Sequence, residues 1–379
     1  MKRYNRLAAS FATSALVGLA CLGGAPPACG QTEGAQKLTK RVVGDYGYWS
    51  RTQTPPYSSA QIPFAKLTHI NHAGVNFNAS GALVVPDGFL EPELLEKAHT
   101  AGVRVLLLLG GPFTALEKNS SLQGILVGNL QTFINRYGYD GVDIDWEYPS
   151  NATDRQTFLN LMTALREAFP TPSYVISADV APWGGEGYNF HNVEPLVDYF
   201  NIMMYDCAGP WTDDAQLNSA IFWDPHDPQP YECEPGGSVQ QAADIYLNTI
   251  QVPASKLNMG TPFYGYFYEN VTRLWGNCAN CGNTVLSENY GTFIKQRINQ
   301  RGWQTFYDPI ALVPYMLRAD GSPGFITYDD SFSTFYRVWY SVWQRGLGGT
   351  FMWSLDADYD GHSQDLLDSM YNASLKQTP

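Results

Sequence analysis

Short apolar runs alternate with amphipathic segments from Arg41 to Tyr371, and this repeat constrains the fold more than any other feature. The apolar runs predict eight strands, at Val42–Tyr48, His69–Val75, Val103–Leu109, Val142–Trp146, Tyr174–Ala178, Tyr199–Tyr205, Leu257–Phe263 and Gly349–Trp353. The amphipathic segments predict helices at Glu91–Thr100, Leu122–Tyr137, Arg155–Phe169, Val239–Ile250 and Phe332–Arg345. Because eight alternating units close into a barrel, the predicted fold class is α/β, a (β/α)8 TIM barrel with a short insertion after the seventh strand.

The chain divides into three predicted parts. Residues 1–30 combine basic residues with an apolar stretch from Leu7 to Leu22, which is typical of a secretory signal peptide. A lipid anchor at Cys21 is the alternative, although the preceding residues match such sites poorly. Residues 31–40 are expected to form an N-terminal tail, and residues 41–373 the barrel, with the insertion at about 265–324. The apolar stretch is too short for a confident membrane span, and no other run reaches that length, so we expect no membrane span.

Composition narrows the range of partners. The net charge of −13 at pH 7 disfavours nucleic acid, because both surfaces would be negative. The histidines and the scattered acidic residues show no metal-ligand spacing, so we predict neither a metal nor another cofactor. Aromatic residues make up 14% of the chain, and flat aromatic faces are the surfaces on which sugar rings stack.

Four cysteines remain after removal of the predicted signal region, which carries Cys21 and Cys29. The remaining four are Cys207, Cys233, Cys278 and Cys281, and in an oxidising compartment they allow three pairings. We predict that Cys207 pairs with Cys233, because both lie in the long loop after the sixth strand. Cys278 and Cys281 would then pair with each other or stay reduced. A redox or zinc site is disfavoured, because no second half-site accompanies them.

The segment from Asp140 to Glu147 carries an acidic ladder. Apolar and acidic residues alternate along it, so Asp143, Asp145 and Glu147 share one face of a strand at intervals of about 6.6 Å. No Lys or Arg lies within the segment to neutralise them. Because like charges held this close cannot all stay ionised, at least one pKa must rise. Glu147, taken as the last residue of its strand, would reach the mouth of the barrel, where active sites of this fold lie.

Two other interpretations of the acidic ladder are weaker. A solvated strand face is disfavoured, because the strand follows a helix-like run and precedes Tyr148-Pro149, which leaves its other face packed. A calcium site is disfavoured as well, because calcium draws on oxygens from turns rather than on a strand of alternating Val, Ile and Trp.

The acidic ladder has the pattern DxxDxDxE, and with it the chain resembles glycoside hydrolase family 18, the chitinase family. The resemblance covers nearly the whole predicted mature chain. Met203-Met204-Tyr205-Asp206 is similar to the MxYD motif of the sixth strand, and Gly110-Gly111 to the third-strand glycines. Residues 66–71, 260–265 and 348–353 are similar to the second, seventh and eighth strand segments.

The resemblance implies roles for the residues that match these motifs. Glu147 would be the general acid and base, Asp145 would orient the 2-acetamido group of the substrate, and Asp143 would share the proton of Asp145. Tyr205 and Asp206 would hold the acetamido carbonyl, and Trp353 would form the hydrophobic floor beneath the sugar at subsite −1. Further candidates for substrate contact are Trp211, Tyr264 and Trp49.

The chain departs from the family pattern at Leu108 and Tyr266, and also at His72 and Gly74, where the second strand of the family often has Tyr and Phe. Leu108 stands where the third strand of the family has a serine that supports the buried aspartates. Tyr266 stands where the family often has an arginine after the seventh strand. The first departure implies a different arrangement of the proton shared by the aspartates.

The implied function is that of a secreted, extracellular chitinase that acts on chitin or chitooligosaccharides as a monomer. Because Asp145 lies beneath Glu147 rather than opposite it, the nucleophile would be the acetamido group of the substrate, with retention of configuration. Two alternatives remain. One is an endo-β-N-acetylglucosaminidase that acts on N-glycans. The other is a chitinase-like protein that binds sugar without cleaving it, which is disfavoured because such proteins usually lack the acid that Glu147 supplies.

Overall fold

A computed structural model describes residues 38–118, 120–227, 233, 237–278 and 282–375 of the chain. The predicted signal peptide, most of the predicted tail and Cys281 lie outside the described residues, so the predictions that concern them stay predictions.

The fold is a closed barrel of eight parallel strands in which neighbours in space follow the order of the chain. The barrel strands are β1 (Arg41–Gly47), β2 (His69–Phe77), β3 (Arg104–Gly110), β4 (Gly141–Asp145), β5 (Val175–Val180), β6 (Tyr199–Ile202), β7 (Leu257–Pro262) and β8 (Gly349–Trp353). Pairing of β1 with both β2 and β8 closes the barrel. The predicted (β/α)8 fold is therefore confirmed.

Strands β1, β4, β6 and β7 end earlier than the sequence predicts, and the ends of β4 and β6 lie next to predicted catalytic residues. Strand β4 ends at Asp145, where its last pairing is with Asp179 of β5, so Glu147 lies two residues beyond the strand. Strand β6 ends at Ile202. Beyond it the Tyr205 N–H bonds back to the Met203 carbonyl, so this segment forms a turn instead of a strand ladder.

Seven α-helices accompany the barrel strands in the described chain: α1 (Pro92–Thr100), α2 (Ser120–Tyr137), α3 (Ala152–Ala168), α4 (Phe190–Val193), α5 (Val239–Asp244), α6 (Ser331–Trp339) and α7 (Asp365–Leu375). The sequence did not predict α4 or α7. Helix α3 begins earlier than predicted, because Asn151 and Asp154 cap it reciprocally. Helices α5 and α6 end earlier and continue as π-helical turns at Ile245–Thr249 and Tyr340–Gln344.

The segment between β7 and β8 contains a second sheet. Its five antiparallel strands are, in spatial order, Val285–Asn289, Tyr264–Tyr268, Phe325–Thr327, Pro314–Arg318 and Trp303–Tyr307. Tyr264 pairs with Asn289 directly after β7, so the sheet begins at the carboxyl end of the barrel. We call residues 264–327 the insertion.

Alternation along the barrel strands separates an apolar outer layer from a polar interior. Val142 and Ile144 of β4 are fully buried in the same apolar cluster as Phe158 and Leu161 of α3. Side chains of the opposite parity enter the barrel, and many are polar although almost completely buried: Asp45, Asn71, Asp143, Ser177, Asp179, Asn201 and Asn258. Buried polar groups persist when they are hydrogen-bonded, so this interior requires a connected network.

A disulfide joins Cys207 to Cys233 across the loop that follows β6. This confirms the predicted pairing. Cys207 directly follows Asp206, and its N–H bonds to the Asn218 carbonyl, so the disulfide ties the loop close to the mouth of the barrel.

Candidate active site

A cavity of about 300 Å³ opens at the carboxyl ends of the barrel strands. Acidic, aromatic and small polar side chains line it: Asp145, Glu147, Tyr148, Asp179, Met203, Tyr205, Asp206, Tyr264, Tyr266, Ser287, Asn289, Trp353, Ser354 and Ala357. The barrel supplies most of this lining, and Tyr264, Tyr266, Ser287 and Asn289 come from the insertion. Four carboxylates and no Lys, Arg or His are among these residues, so the cavity is strongly acidic.

Asp143 lies at the base of the acidic ladder and is inaccessible to solvent. One of its carboxylate oxygens, Oδ1, accepts hydrogen bonds from the Ser177 hydroxyl and from Asn201 Nδ2, the latter at 3.3 Å. Burial raises the pKa of Asp143 to about 6, against the opposing effect of the Ser177 hydrogen bond. Asp143 therefore retains a proton into the mildly acidic range.

Leu108 pairs in register with Asp143 on the neighbouring strand β3, so it offers no hydroxyl to this carboxylate. The hydroxyl comes from the other side, from Ser177 of β5, which is also in register with Asp143. The departure at Leu108 is thus accompanied by a serine on the opposite neighbouring strand.

Asp145 and Glu147 occupy successive levels of the cavity. Asp145 lies deeper, and its Oδ1 is buried without a hydrogen-bond partner among the described residues. Burial and the charges of Glu147 and Asp143 raise the pKa of Asp145. Glu147 is exposed to the cavity, and burial of part of its carboxyl group raises its pKa, while a hydrogen bond from the Tyr148 hydroxyl opposes the rise. A carboxyl group that is both accessible and protonated at mildly acidic pH can act as a general acid.

Asp206 faces the cavity from the turn after β6. Its backbone has a positive φ of 60°, and its N–H donates to Asn218 Oδ1 at 2.9 Å. Its carboxylate oxygen Oδ1 accepts two hydrogen bonds from the insertion, from the Tyr264 hydroxyl and, at 2.7 Å, from the Tyr266 hydroxyl. Burial raises the pKa of Asp206, and both tyrosine hydrogen bonds oppose this rise. The uncharged Tyr266 hydroxyl thus stabilises the ionised form of Asp206 by donating a hydrogen bond to it.

The aromatic candidates divide into those inside the cavity and those at its edge. Trp353, Tyr205 and Tyr264 line the cavity, and the Tyr205 and Tyr264 rings meet edge to face at 6.1 Å. Trp49 does not line it, but its ring lies 6.2 Å from that of Trp353. Trp211 is also outside the lining, half-exposed, with its ring 5.8 Å from that of Tyr266.

Two further carboxylates, Asp179 and Asp45, lie beside the acidic ladder and were missed by sequence reasoning. Asp179 follows Ser177 at the interior parity of β5, but the predicted strand ended at Ala178, two residues before the observed end at Val180. Extending the alternation to Val180 would have revealed it. Asp45 of β1 is fully buried and accepts a hydrogen bond from Asn71 Nδ2 at 2.9 Å. Asp45 lies in an apolar run of the sequence, where a single acidic residue does not by itself predict a functional site.

Among the described residues, no three His, Cys, Asp or Glu side chains are arranged so that they could hold a metal ion. In the same part of the chain, no helix has the length and apolar character needed to cross a membrane.

The barrel, the acidic ladder at its mouth and the aromatic cavity define a protein of the glycoside hydrolase class. The sequence profile of glycosyl hydrolases family 18 matches residues 41–358, and the chain belongs to this family.

Individual relatives are chitinases. Chitinase A1 of Niallia circulans is 26% identical over 309 residues, a match that covers 72% of this chain and 43% of that relative. Chitinase 1 of Aphanocladium album is 25% identical over 365 residues, with 84% of this chain and 81% of the relative covered. The crystal structure of the Ostrinia furnacalis Group IV chitinase in complex with allosamidin has the same fold, with a TM-score of 0.76, 23% identity, and coverage of 88% of this chain and 98% of that chain. The chain thus spans under half of the first relative and most of the second.

Proposed function

We propose that this protein is a chitinase that hydrolyses β-1,4-linked N-acetylglucosamine polymers or oligomers with retention of configuration. One observation carries the proposal. Glu147 is exposed to the cavity while Asp145 lies beneath it on the same side of the chain, so an acid and a deeper carboxylate face one sugar site. The family membership and the chitinase relatives support the choice of substrate.

In the first step Glu147 donates its proton to the glycosidic oxygen as the bond from that oxygen to the anomeric carbon breaks. The carbonyl oxygen of the substrate 2-acetamido group attacks the anomeric carbon from the opposite face, which forms an oxazolinium ion. Asp206 is a poor nucleophile by comparison, because Tyr264 and Tyr266 both donate hydrogen bonds to its carboxylate.

In the second step the Glu147 carboxylate takes a proton from water. The resulting hydroxide equivalent attacks the anomeric carbon from the face that the leaving sugar vacated, and the carbon–oxygen bond of the oxazolinium ring breaks. Two displacements at one carbon restore the original β configuration.

Asp145 stabilises the oxazolinium ion in this proposal. Its carboxylate accepts a hydrogen bond from the acetamido N–H and offsets the positive charge that develops on the ring, an effect strengthened by burial. Its unpartnered Oδ1 is available for this contact. The Tyr205 hydroxyl donates to the acetamido carbonyl from the β6 side, while the ionised Asp206 beside it offsets the developing positive charge. Asp143 supports Asp145 from below.

Aromatic side chains would bind the sugar rings. Trp353 and Tyr264 line the cavity, so we assign Trp353 to the floor of subsite −1 and Tyr264 to its wall. Trp211 is half-exposed beyond Tyr266 and is assigned to a sugar outside the cavity. Trp49 would act mainly by supporting the Trp353 ring, which it contacts.

Secretion belongs to the same proposal. The Cys207–Cys233 disulfide supports an oxidising compartment, and the basic and apolar residues of segment 1–30 support an export signal. We propose that the secreted protein acts as a monomer.

The test is to incubate the protein with chitooligosaccharides and, separately, with a high-mannose glycopeptide. We expect cleavage of the former, and at least ~10²-fold loss of kcat in Glu147→Gln with folding intact, the scale of a lost general acid. Glu288→Gln is the matched control, because Glu288 has a raised pKa and lies between the cavity residues Ser287 and Asn289 without lining the cavity itself.

Cleavage of the glycopeptide alone would replace the chitinase proposal with an endo-β-N-acetylglucosaminidase. Binding of chitooligosaccharides without cleavage by the wild type would instead make the protein a sugar-binding relative of the chitinases.

A further inference from the structure

A line of polar side chains crosses the barrel interior beside the acidic ladder. Backbone pairing places Asp145, Asp179, Asn201 and Asn258 in one register across strands β4, β5, β6 and β7. The same register continues through Gly349 of β8 to Arg41 of β1. Asp179 is therefore the immediate neighbour of Asp145 on the next strand, and it also lines the cavity.

Hydrogen bonds run along this line without interruption. Arg41 Nε donates to Asn258 Oδ1 at 2.9 Å, and Asn258 Nδ2 donates to Asn201 Oδ1 at 2.9 Å. Asn201 Nδ2 then donates to Asp179 Oδ1 at 3.0 Å and to Asp143 Oδ1 at 3.3 Å. A surface-side cation is thus linked to two buried carboxylates through two amides.

The direction of every bond in this line follows from its first member. An arginine side chain has donors only, so Asn258 must present its oxygen to Arg41 and its nitrogen to Asn201. Asn201 must then accept with its oxygen, which leaves its nitrogen facing the carboxylates. Arg41 thereby fixes Asn201 as a donor to Asp143 and Asp179.

Gly349 has no side chain, which leaves room for the hydrogen bond between Arg41 and Asn258. It lies between Asn258 and Arg41 in the register, and a Cβ atom at this position would come within 2.7 Å of Asn258 Oδ1 and 2.6 Å of Arg41 Cβ. Any larger residue would therefore push apart the two side chains that form the first hydrogen bond.

Asp143 and Asp179 accept from the same nitrogen, Asn201 Nδ2, at 3.3 and 3.0 Å, so their carboxylates are close neighbours. Two carboxylates have only acceptors when both are ionised, so a hydrogen bond between them requires a proton on one. Both side chains are almost completely buried, and the charged or titratable groups that act on Asp179 are Asp143, Asp145, Asp45 and Tyr205. Because none of these is a cation, a shared proton is the means of limiting the negative charge.

We propose that Asp179 is a further positioning residue of the reaction, which shares one proton with Asp143 while Asn201 holds both carboxylates beneath Asp145. The inference rests on the proposed chitinase function. A proton held by this pair does not have to be shared with Asp145. Asp145 is then free to remain ionised and to face the acetamido N–H as the oxazolinium ion forms.

The kinetic test compares Asp179→Asn and Asp179→Ala with the wild type on chitooligosaccharides. Removing the shared proton leaves a full charge on Asp143, which raises the pKa of Asp145. We expect about tenfold lower kcat at neutral pH, KM within about threefold of wild type, and an acid limb of the pH profile moved to higher pH. Asp358→Asn is the matched control, because burial raises the pKa of Asp358 to about 7 but its carboxylate bonds to the Leu367 N–H, outside the cavity.

A merely structural role would lower the thermal stability of the Asp179 variants and leave kcat and the pH profile of the folded enzyme unchanged. That result would overturn the positioning role, as would equal kinetic effects in Asp358→Asn.

A second measurement does not depend on activity. The pH dependence of the unfolding midpoint is compared in the wild type, Asp143→Asn, Asp179→Asn and the double variant. A proton retained by the folded pair makes wild-type stability fall as pH rises from about 4, the pKa of an unfolded Asp, through the higher pKa of the folded pair. If the proton is shared, either single variant removes the part of this fall that the pair contributes, and the double variant removes no more.

Additive effects of the two substitutions would contradict the shared proton. If the wild type cleaves none of the sugars, the proposed function is wrong, and the unfolding series still decides whether Asp143 and Asp179 share a proton.

Discussion

At the scale of single residues, hydrogen bonds from side chains outside the barrel influence the pKa of Asp206. Tyr264 and Tyr266 both belong to the insertion, and both donate to the same oxygen of Asp206. A neutral hydroxyl stabilises a carboxylate less than a cation does, so burial remains the larger influence and the pKa of Asp206 stays raised.

Tyr266→Phe tests this dependence. Loss of the hydroxyl removes a hydrogen bond that lowers the pKa of Asp206, so that pKa rises further. Because the proposed role requires an ionised Asp206, activity should be lost at a higher pH than in the wild type, with the acid limb of kcat/KM displaced upward by roughly 0.5–1 pH unit. Tyr307→Phe, at an exposed position on the same inserted sheet, serves as the control. An unchanged acid limb in Tyr266→Phe would show that Asp206 does not control activity in this pH range.

Sequence reasoning found the residues whose chemistry follows from local spacing. Asp143, Asp145 and Glu147 alternate with apolar residues along β4 and the two residues beyond it, so period-2 alternation was sufficient to predict that they face the same way. Asp179 and Asn201 reach the same site from neighbouring strands, and strand register is not visible in a single sequence. The support given to Asp143 by Ser177, across from Leu108, was missed for the same reason.

At the scale of secondary-structure elements, the loop between β6 and α5 contributes to the site through its first residues. It begins with Tyr205 and Asp206, and the Cys207–Cys233 disulfide ties its first residues to a position 26 residues later. Asn218 in the same loop accepts the Asp206 N–H through its side chain and the Cys207 N–H through its carbonyl. These contacts hold the turn after β6 in place.

The disulfide prediction concerns stability and activity together. In the double variant Cys207→Ser and Cys233→Ser, the unfolded chain regains the freedom of the closed loop, and the free energy of unfolding should fall by about 3 kcal/mol. Denaturant unfolding of the variant and the wild type under identical oxidising conditions measures the difference. We also expect a higher KM, because the Asp206 turn loses its anchor. A loss below about 1 kcal/mol would mean that other contacts hold this loop.

Element boundaries were predicted less well than element types. The sequence extended β4 and β6 beyond their observed ends, because Trp146 and Tyr205 continue the apolar alternation although neither residue pairs with a neighbouring strand. Trp146 packs against Phe113 at 5.2 Å instead, so its apolar character serves the core outside the sheet. Helices α5 and α6 were predicted as longer because their π-helical continuations keep an amphipathic pattern.

At the scale of the whole molecule, the barrel could be predicted because its eight units repeat one simple pattern. The structure confirms that prediction. The inserted sheet could not be predicted in the same way. Its strands pair antiparallel over separations such as Tyr264 with Asn289, and its segments are rich in turns and aromatic residues. The position of the insertion after β7 was nonetheless clear from its length, and that position brings Tyr264, Tyr266, Ser287 and Asn289 to the cavity.

We propose that the barrel and the insertion together form a site in which the substrate itself supplies the nucleophile. The configuration of the first product tests this proposal directly. Wild-type protein is mixed with a chitooligosaccharide, and proton NMR follows the anomeric signals of the new reducing end before mutarotation equilibrates them. We predict that the β anomer appears first, because two displacements at the anomeric carbon restore its configuration. Initial release of the α anomer would mean a single displacement by water, and would contradict the substrate-assisted mechanism even if chitin were the substrate.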